Sequence, residues 1–147
     1  MITAFIIGFL SGLRALTPSA CIAWAAYLKR ITLPPKLQKL STLPAVLVLG
    51  TLAFLELIGD KLPSTPNRTS PPALAARLFM GALAGACLGP SLPVGAALGA
   101  TGALTGTFVG FYARTGTVNA TGLADLKVAL LEDFLTLVGT LYLLTHL

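Results

Sequence analysis

Charge is the scarcest property of this chain. Ten Lys/Arg and five Asp/Glu make up 10% of 147 residues, against 55% hydrophobic residues and a mean hydropathy of +0.86. A soluble domain carries about 25% charged residues, so this chain cannot cover itself in water, and lipid is the solvent expected for much of its surface. Histidine occurs once, at His146, and cysteine twice, at Cys21 and Cys87, with no CxxC or Cys/His spacing. That excludes the usual zinc and disulfide frameworks and leaves both thiols as small packing groups. No HExxH, GxSxG, P-loop or dinucleotide glycine motif occurs, so neither an enzyme nor a cofactor is expected. Acid–base chemistry on a lipid by the few carboxylates is the enzymatic alternative. The net charge of +5 lacks a basic run interleaved with aromatics, and nucleic acid is not an expected partner. The start, MITAFIIGFL, has no basic leader region or small-residue cleavage site and reads as part of the mature protein.

What the chain does have is apolar length, divided by proline and glycine. Six apolar elements are predicted, over about 2–16, 19–28, 43–62, 73–88, 94–113 and 123–146. Pro18, Pro34 with Pro35, the stretch 63–72, Pro90 with Pro93, and Gly116 with Gly122 punctuate the junctions. The uncharged run 78–113 is longer than the ~20 residues that span a bilayer core. The first two elements are shorter than a span. A re-entrant pair meeting at Thr17-Pro18, two thin crossings and one long kinked helix all fit them.

Internal similarity suggests how the elements are grouped. GFLSG at 8–12 recurs as GALAG at 81–85, and AFLELIGD at 53–60 aligns with ALLEDFLT at 129–136, which superposes Glu56 on Glu132. The expected fold is therefore an all-α membrane protein in one transmembrane domain, residues 1–147. It is made of two inverted three-element repeats, about 1–62 and 73–147, with Pro-broken or re-entrant short helices and a Pro-rich connection at 63–72. Lys29, Arg30, Lys36 and Lys39 crowd one acid-free loop. The positive-inside rule makes that loop and both termini cytoplasmic, in a multi-pass inner (plasma) membrane protein of bacterial type.

Few polar groups lie inside the apolar elements, and each needs a reason. Arg14 sits in GFLSGLRALTPSA, just before the Thr17-Pro18 break. At membrane depth an unpaired charge costs at least ~2.5 kcal/mol. Three readings follow: snorkelling, a buried ion pair with Glu132 or Glu56, or a site where the guanidinium and freed backbone N–H groups hold an anion. Glu132, about nine residues into the last element, and its counterpart Glu56 are candidate gating or proton-coupling carboxylates. Asp133 points about 100° away around that helix and is expected to serve another neighbour. Asp60, Lys61 and Arg68 lie in GDKLPSTPNRTSPP, read either as a ligand-closing lid or as a stiff connection. Glycines at every fourth position, 81/85/89 and 102/106/110, let helix backbones approach closely, within one chain or in a homodimer.

The segments GLRALTP, ELIGDKLPSTPNRT, GALAGA and ALLED, in this order, resemble a family of small bacterial membrane proteins known as domain of unknown function 4126. The resemblance implies a multi-spanning membrane protein and no particular activity. It puts weight on Arg14, Thr17, Glu56, Asp60, Lys61, Arg68, Glu132 and Asp133 as motif positions. The expected function is a small transporter or channel-like protein for an anionic small molecule. Its partners are the bilayer and an anion or lipid head group, with a structural or regulatory subunit as the alternative.

Overall fold

The computed structural model describes residues 1–59, 69–122 and 124–146. Among them are six α-helices and no strand: α1 (Ile2–Leu13), α2 (Thr17–Tyr27), α3 (Leu43–Gly59), α4 (Pro71–Leu88), α5 (Leu92–Thr121) and α6 (Asp125–Thr145). A short 3₁₀ helix, Pro35–Ser41, precedes α3 and meets it at 70°. Proline opens most of these elements, at Pro18, Pro35, Pro44, Pro71 and Pro93. Its fixed φ suits the first helical turn, and its missing N–H is not needed there. Gly122 ends α5 in the left-handed region at φ 65°, the usual glycine stop. Asp125 places a negative charge in the first turn of α6.

Small residues decide how the helices pack. On α5, Gly99 meets glycines of both α1 and α4. A Cβ on Gly99 would overlap the backbone of Gly81 and Gly85 on α4, and a Cβ on Gly8 of α1 would overlap Gly99 itself. Further along, Gly12 of α1 faces Ala103 and Thr107, while Gly85 and Gly89 of α4 face Gly95. The pairings rise together for α1 with α5 and oppose each other for α4 with α5. Helix α1 is therefore parallel to α5 and antiparallel to α4.

The same reading settles the start of the chain. Ile7 of α1, Ile22 and Ala26 of α2, Leu33, Cys87 near the end of α4 and Leu144 near the end of α6 form one core cluster. Residues 30–34 and 87–89 line a shared cavity. Helix α2 therefore returns toward the end of the bundle from which α1 set out. The pair is a helical hairpin with its tip at 14–16. Helix α3 lies along α2, and Ala20, Cys21 and Trp24 of α2 line one groove with Val46, Gly50 and Phe54 of α3. Met1, the 28–42 segment and the end of α6 thus share one end of the molecule.

Three helices, α4, α5 and α6, are long and apolar enough to cross a membrane, and the bent pair of the 3₁₀ helix with α3 makes a fourth candidate. Helices α1 and α2, of 12 and 11 residues, rise only about 16–18 Å. Large apolar side chains cover the outside, among them Phe54, Phe79, Tyr112, Phe134 and Leu141. A contiguous surface of this kind is unfavourable in water and suited to lipid.

The six expected elements are all present, with two changes of extent. The fifth continues past Ala113 to Thr121, because Arg114 is not a stop: it makes a bidentate pair with Asp125 at 2.7 and 2.5 Å. Gly116 lies in open space within the helix. In the 30–42 loop the Pro34-Pro35 pair starts a 3₁₀ turn instead of an irregular link.

Candidate functional site: charged groups at a helix break

The break between α1 and α2 occurs because Arg14 leaves the helix in an extended conformation, φ −136° and ψ 114°. Any such break leaves carbonyls without partners on one side and N–H groups without partners on the other. Inside an apolar bundle water cannot supply those partners, so side chains from three other helices do.

On the carbonyl side, Arg77 of α4 is buried and its Nη1 donates to Gly12 O and Leu13 O, both at 2.7 Å. Thr107 of α5, fully buried, adds its hydroxyl 3.2 Å from Gly12 O and 2.8 Å from Ala103 O in its own turn. On the N–H side, Glu56 of α3 spans two consecutive donors. Its Oε1 accepts from the Ala15 N–H at 2.7 Å and its Oε2 from the Leu16 N–H at 2.9 Å. This is a carboxylate bound at a helix N-terminus, where the helix dipole favours negative charge.

Arg14 itself is completely buried and forms an ion pair with Asp133 of α6, whose side chain is 13% exposed. The inward stripe of α6 runs through Ala129, Thr136, Thr140 and Leu144, and Asp133 falls on it at the i, i+3, i+4 spacing of one helical face. Thr136 and Thr140 donate back to Glu132 O and Thr136 O at 2.8 and 2.7 Å, which satisfies their hydroxyls without leaving the helix.

Of the residues singled out from sequence, Arg14, Thr17, Glu56 and Asp133 come together around the tip of the helical hairpin. Where one reading gave Arg14 a glutamate partner, an ion pair with Asp133 is found, and Glu56 accepts from the Ala15 and Leu16 N–H groups. The register of α6 explains the exchange, because the seam through Ala129 and Thr136 carries position 133 inward and places Glu132 one step off it. Glu132 is half-buried. Asp60, Lys61 and Arg68 lie outside the described residues.

Two functional groups were not anticipated. Arg77 borders the long uncharged run 78–113 and was passed over as its edge. Its signal was nonetheless present: a cation six residues into an apolar helix needs a buried partner. Thr107 had no such signal, since its neighbours are small residues of a packing face. The first turn of α2 holds two more buried hydroxyls, Thr17 at 6% and Ser19 at 4% exposure, neither of them hydrogen-bonded to any described residue. No cluster of three or more His, Cys, Asp or Glu suited to a metal occurs among the described residues.

Chemically, the cluster provides two guanidinium groups, two carboxylates and exposed helix-end dipoles within apolar walls. No curated protein and no solved structure matches the chain. The family model described as Domain of unknown function (DUF4126) matches residues 1–146, nearly the whole length. The chain is a member of the DUF4126 family.

Proposed function

We propose that this protein is a small multi-pass membrane transporter or channel-like protein for an anionic small molecule, whose path passes the tip of the helical hairpin. The observation that carries the reading is the burial of Arg14, at 0% exposure, beside a broken helix in an otherwise apolar bundle. A membrane protein keeps such a charge at a cost of several kcal/mol. Ion and substrate sites are where broken helices and intramembrane charges occur together. Glu56 and Glu132 act as gating or proton-coupling carboxylates in this reading. The basic 28–42 loop sets the cytoplasmic side, with both termini on it. The two halves are taken as inverted units: α1 and α4 run in opposite senses and both stop at a proline break, although α2 and α5 differ greatly in length.

A second reading is favoured by one specific observation. Arg77 and Glu56 together cap both sides of the break, as a purely structural lock would. The variants R14Q and D133N, alone and combined, separate the two readings. Each single variant breaks the buried Arg14–Asp133 ion pair and is expected to lose about 3–5 kcal/mol of stability. The double variant removes both charges and is expected to regain most of that loss. In liposomes, the wild type carries a small anion and the refolded double variant carries none. A folded wild type that moves no anion from a panel of carboxylates, phosphate, nitrate and halides would leave the lock as the function.

A further inference from the structure

We propose that the groove between α2 and α3 binds one anionic phospholipid, with an acyl chain along the groove and the phosphate against the basic segment that joins the two helices. The site is separate from the hairpin tip and holds whether or not the protein transports a solute.

The groove has a volume of about 460 Å³, is open on its outer side, and is apolar except at Cys21 and Thr51. Along α3 it runs from Val46 to Phe54, a rise of about 12 Å. One leaflet of a ~30 Å hydrocarbon core is ~15 Å deep, so the groove matches one leaflet. Its floor includes Gly50, where an added Cβ would meet nothing within 4 Å. The glycines of α1 and α4 each receive a neighbouring helix, whereas Gly50 opens a slot that no described part of the chain enters. An apolar slot facing lipid gains dispersion contacts when a chain lies in it.

Charge decides which lipid. Trp24 stands three residues before the end of α2 and Val46 three residues after the start of α3, so one end of the groove lies within a turn of the 28–42 segment. Lys29, Arg30, Lys36 and Lys39 in that segment are exposed, and none of their side chains is hydrogen-bonded or ion-paired to a described residue. Arg14, Arg77 and Arg114, by contrast, are committed to Asp133, to backbone carbonyls and to Asp125. The 3₁₀ helix arranges two of the four cations. Leu37 and Leu40 pack against the core, and at three residues per turn Lys36 and Lys39 stack on the exposed face. This helix meets α3 at 70°, so with α3 crossing the bilayer it lies near the membrane plane. Trp24 and Tyr27, both exposed, are aromatics of the kind that sit at headgroup level. Paired ammonium groups beside an apolar slot fit a phosphodiester that carries an acyl chain. Free phosphate leaves the slot empty, and a zwitterionic lipid brings no net charge to the lysines.

Trp24 is the only tryptophan in the chain and lines the groove, so its fluorescence reports the occupant. The protein is reconstituted in phosphatidylcholine vesicles containing a minor fraction of phosphatidylglycerol, with bromine on the acyl chains of one lipid or the other. Bromine quenches tryptophan on contact. At equal mole fraction, brominated phosphatidylglycerol is expected to quench Trp24 several-fold more effectively than brominated phosphatidylcholine, with about fivefold in relative association for each lysine engaged. K36Q/K39Q is expected to abolish that preference, and G50L, which fills the slot, to reduce quenching by phosphatidylglycerol. Equal quenching by the two lipids in the wild type is ordinary lipid contact and overturns the proposal. Quenching by neither would put a second copy of the chain in the groove and overturns it likewise. A preference that survives K36Q/K39Q removes the headgroup site, and unchanged quenching in G50L removes the acyl-chain site. All three positions are exposed, and the wild-type comparison decides alone if a variant fails to fold.

Discussion

Arg77 shows how much one side chain can carry in a molecule with few charges. Its Nη1 accepts no competitor from water: it is 4% exposed and committed to two carbonyls at the end of α1. Replacing it by methionine keeps the apolar stem and removes the donor, leaving Gly12 O and Leu13 O to lose their strongest partner. A buried acceptor left without its hydrogen bond costs about 1–3 kcal/mol. Thr107 still reaches Gly12 O, so R77M is expected to lower stability by about 2–4 kcal/mol, measured by unfolding in mixed micelles. No change on substitution would mean that the α1 end is capped by other means. Arg14 and Arg77 thus meet at the same break, Arg14 in an ion pair with Asp133 and Arg77 donating to the Gly12 and Leu13 carbonyls.

At the scale of elements, the glycines on α5 divide into two kinds. Gly99 faces α4, where an added Cβ would overlap the backbone of Gly81 and Gly85, and its own backbone blocks a Cβ on Gly8 of α1. Backbone cannot rotate away as a side chain can, so G99A should force the helices apart. The expected loss is about 1–3 kcal/mol or more, by analogy with overpacked cores. Gly116 lies on the same helix with nothing within 4 Å of an added Cβ. There, alanine relieves the entropy cost of a mid-helix glycine, and G116A is expected to stabilise by up to about 1 kcal/mol. Parallel melts of the two variants check the contrast, and equal responses would contradict the packing order α1–α5–α4. Most of this layer was legible in the sequence. The Gly-x-x-x-Gly stripes marked the close faces, the prolines marked the helix starts, and the short first elements left a re-entrant pair among the options. The choice between a hairpin and one long kinked helix depended on long-range contacts among Ile7, Ile22, Cys87 and Leu144, which no local pattern encodes. The site was legible in its members more than in its pairings. Arg14, Thr17, Glu56 and Asp133 were marked, but the partner of Arg14 turned on a one-residue rotation of α6. A shift of that size is smaller than the uncertainty in where a helix starts when only its sequence is read.

The whole molecule is organised by direction. The hairpin of α1 and α2 enters and leaves at one end; α3, α4, α5 and α6 then alternate. As a result Met1, the basic loop with Lys29, Arg30, Lys36 and Lys39, and the end of α6 fall together, while the α5–α6 junction lies at the far end. Electrostatics and geometry reinforce each other here. Two full crossings would leave the basic loop on the same face as the chain start, whereas one long kinked span would carry it to the opposite face. Single cysteines resolve this in oriented membranes, with Cys21 and Cys87 replaced by serine. Lys36 and Asn119 are both exposed, at opposite ends of the bundle. K36C is expected to react with a membrane-impermeant thiol reagent only from the cytoplasmic face, and N119C only from the outer face. A cysteine added after Met1 should follow K36C, because α2 returns toward the end from which α1 sets out. If the Met1 position instead labels with N119C, the first two helices form an odd number of crossings. The buried tip at 14–16 would then be a kink in a span, and the case for a ligand-sized break in the centre of the bundle would go with it.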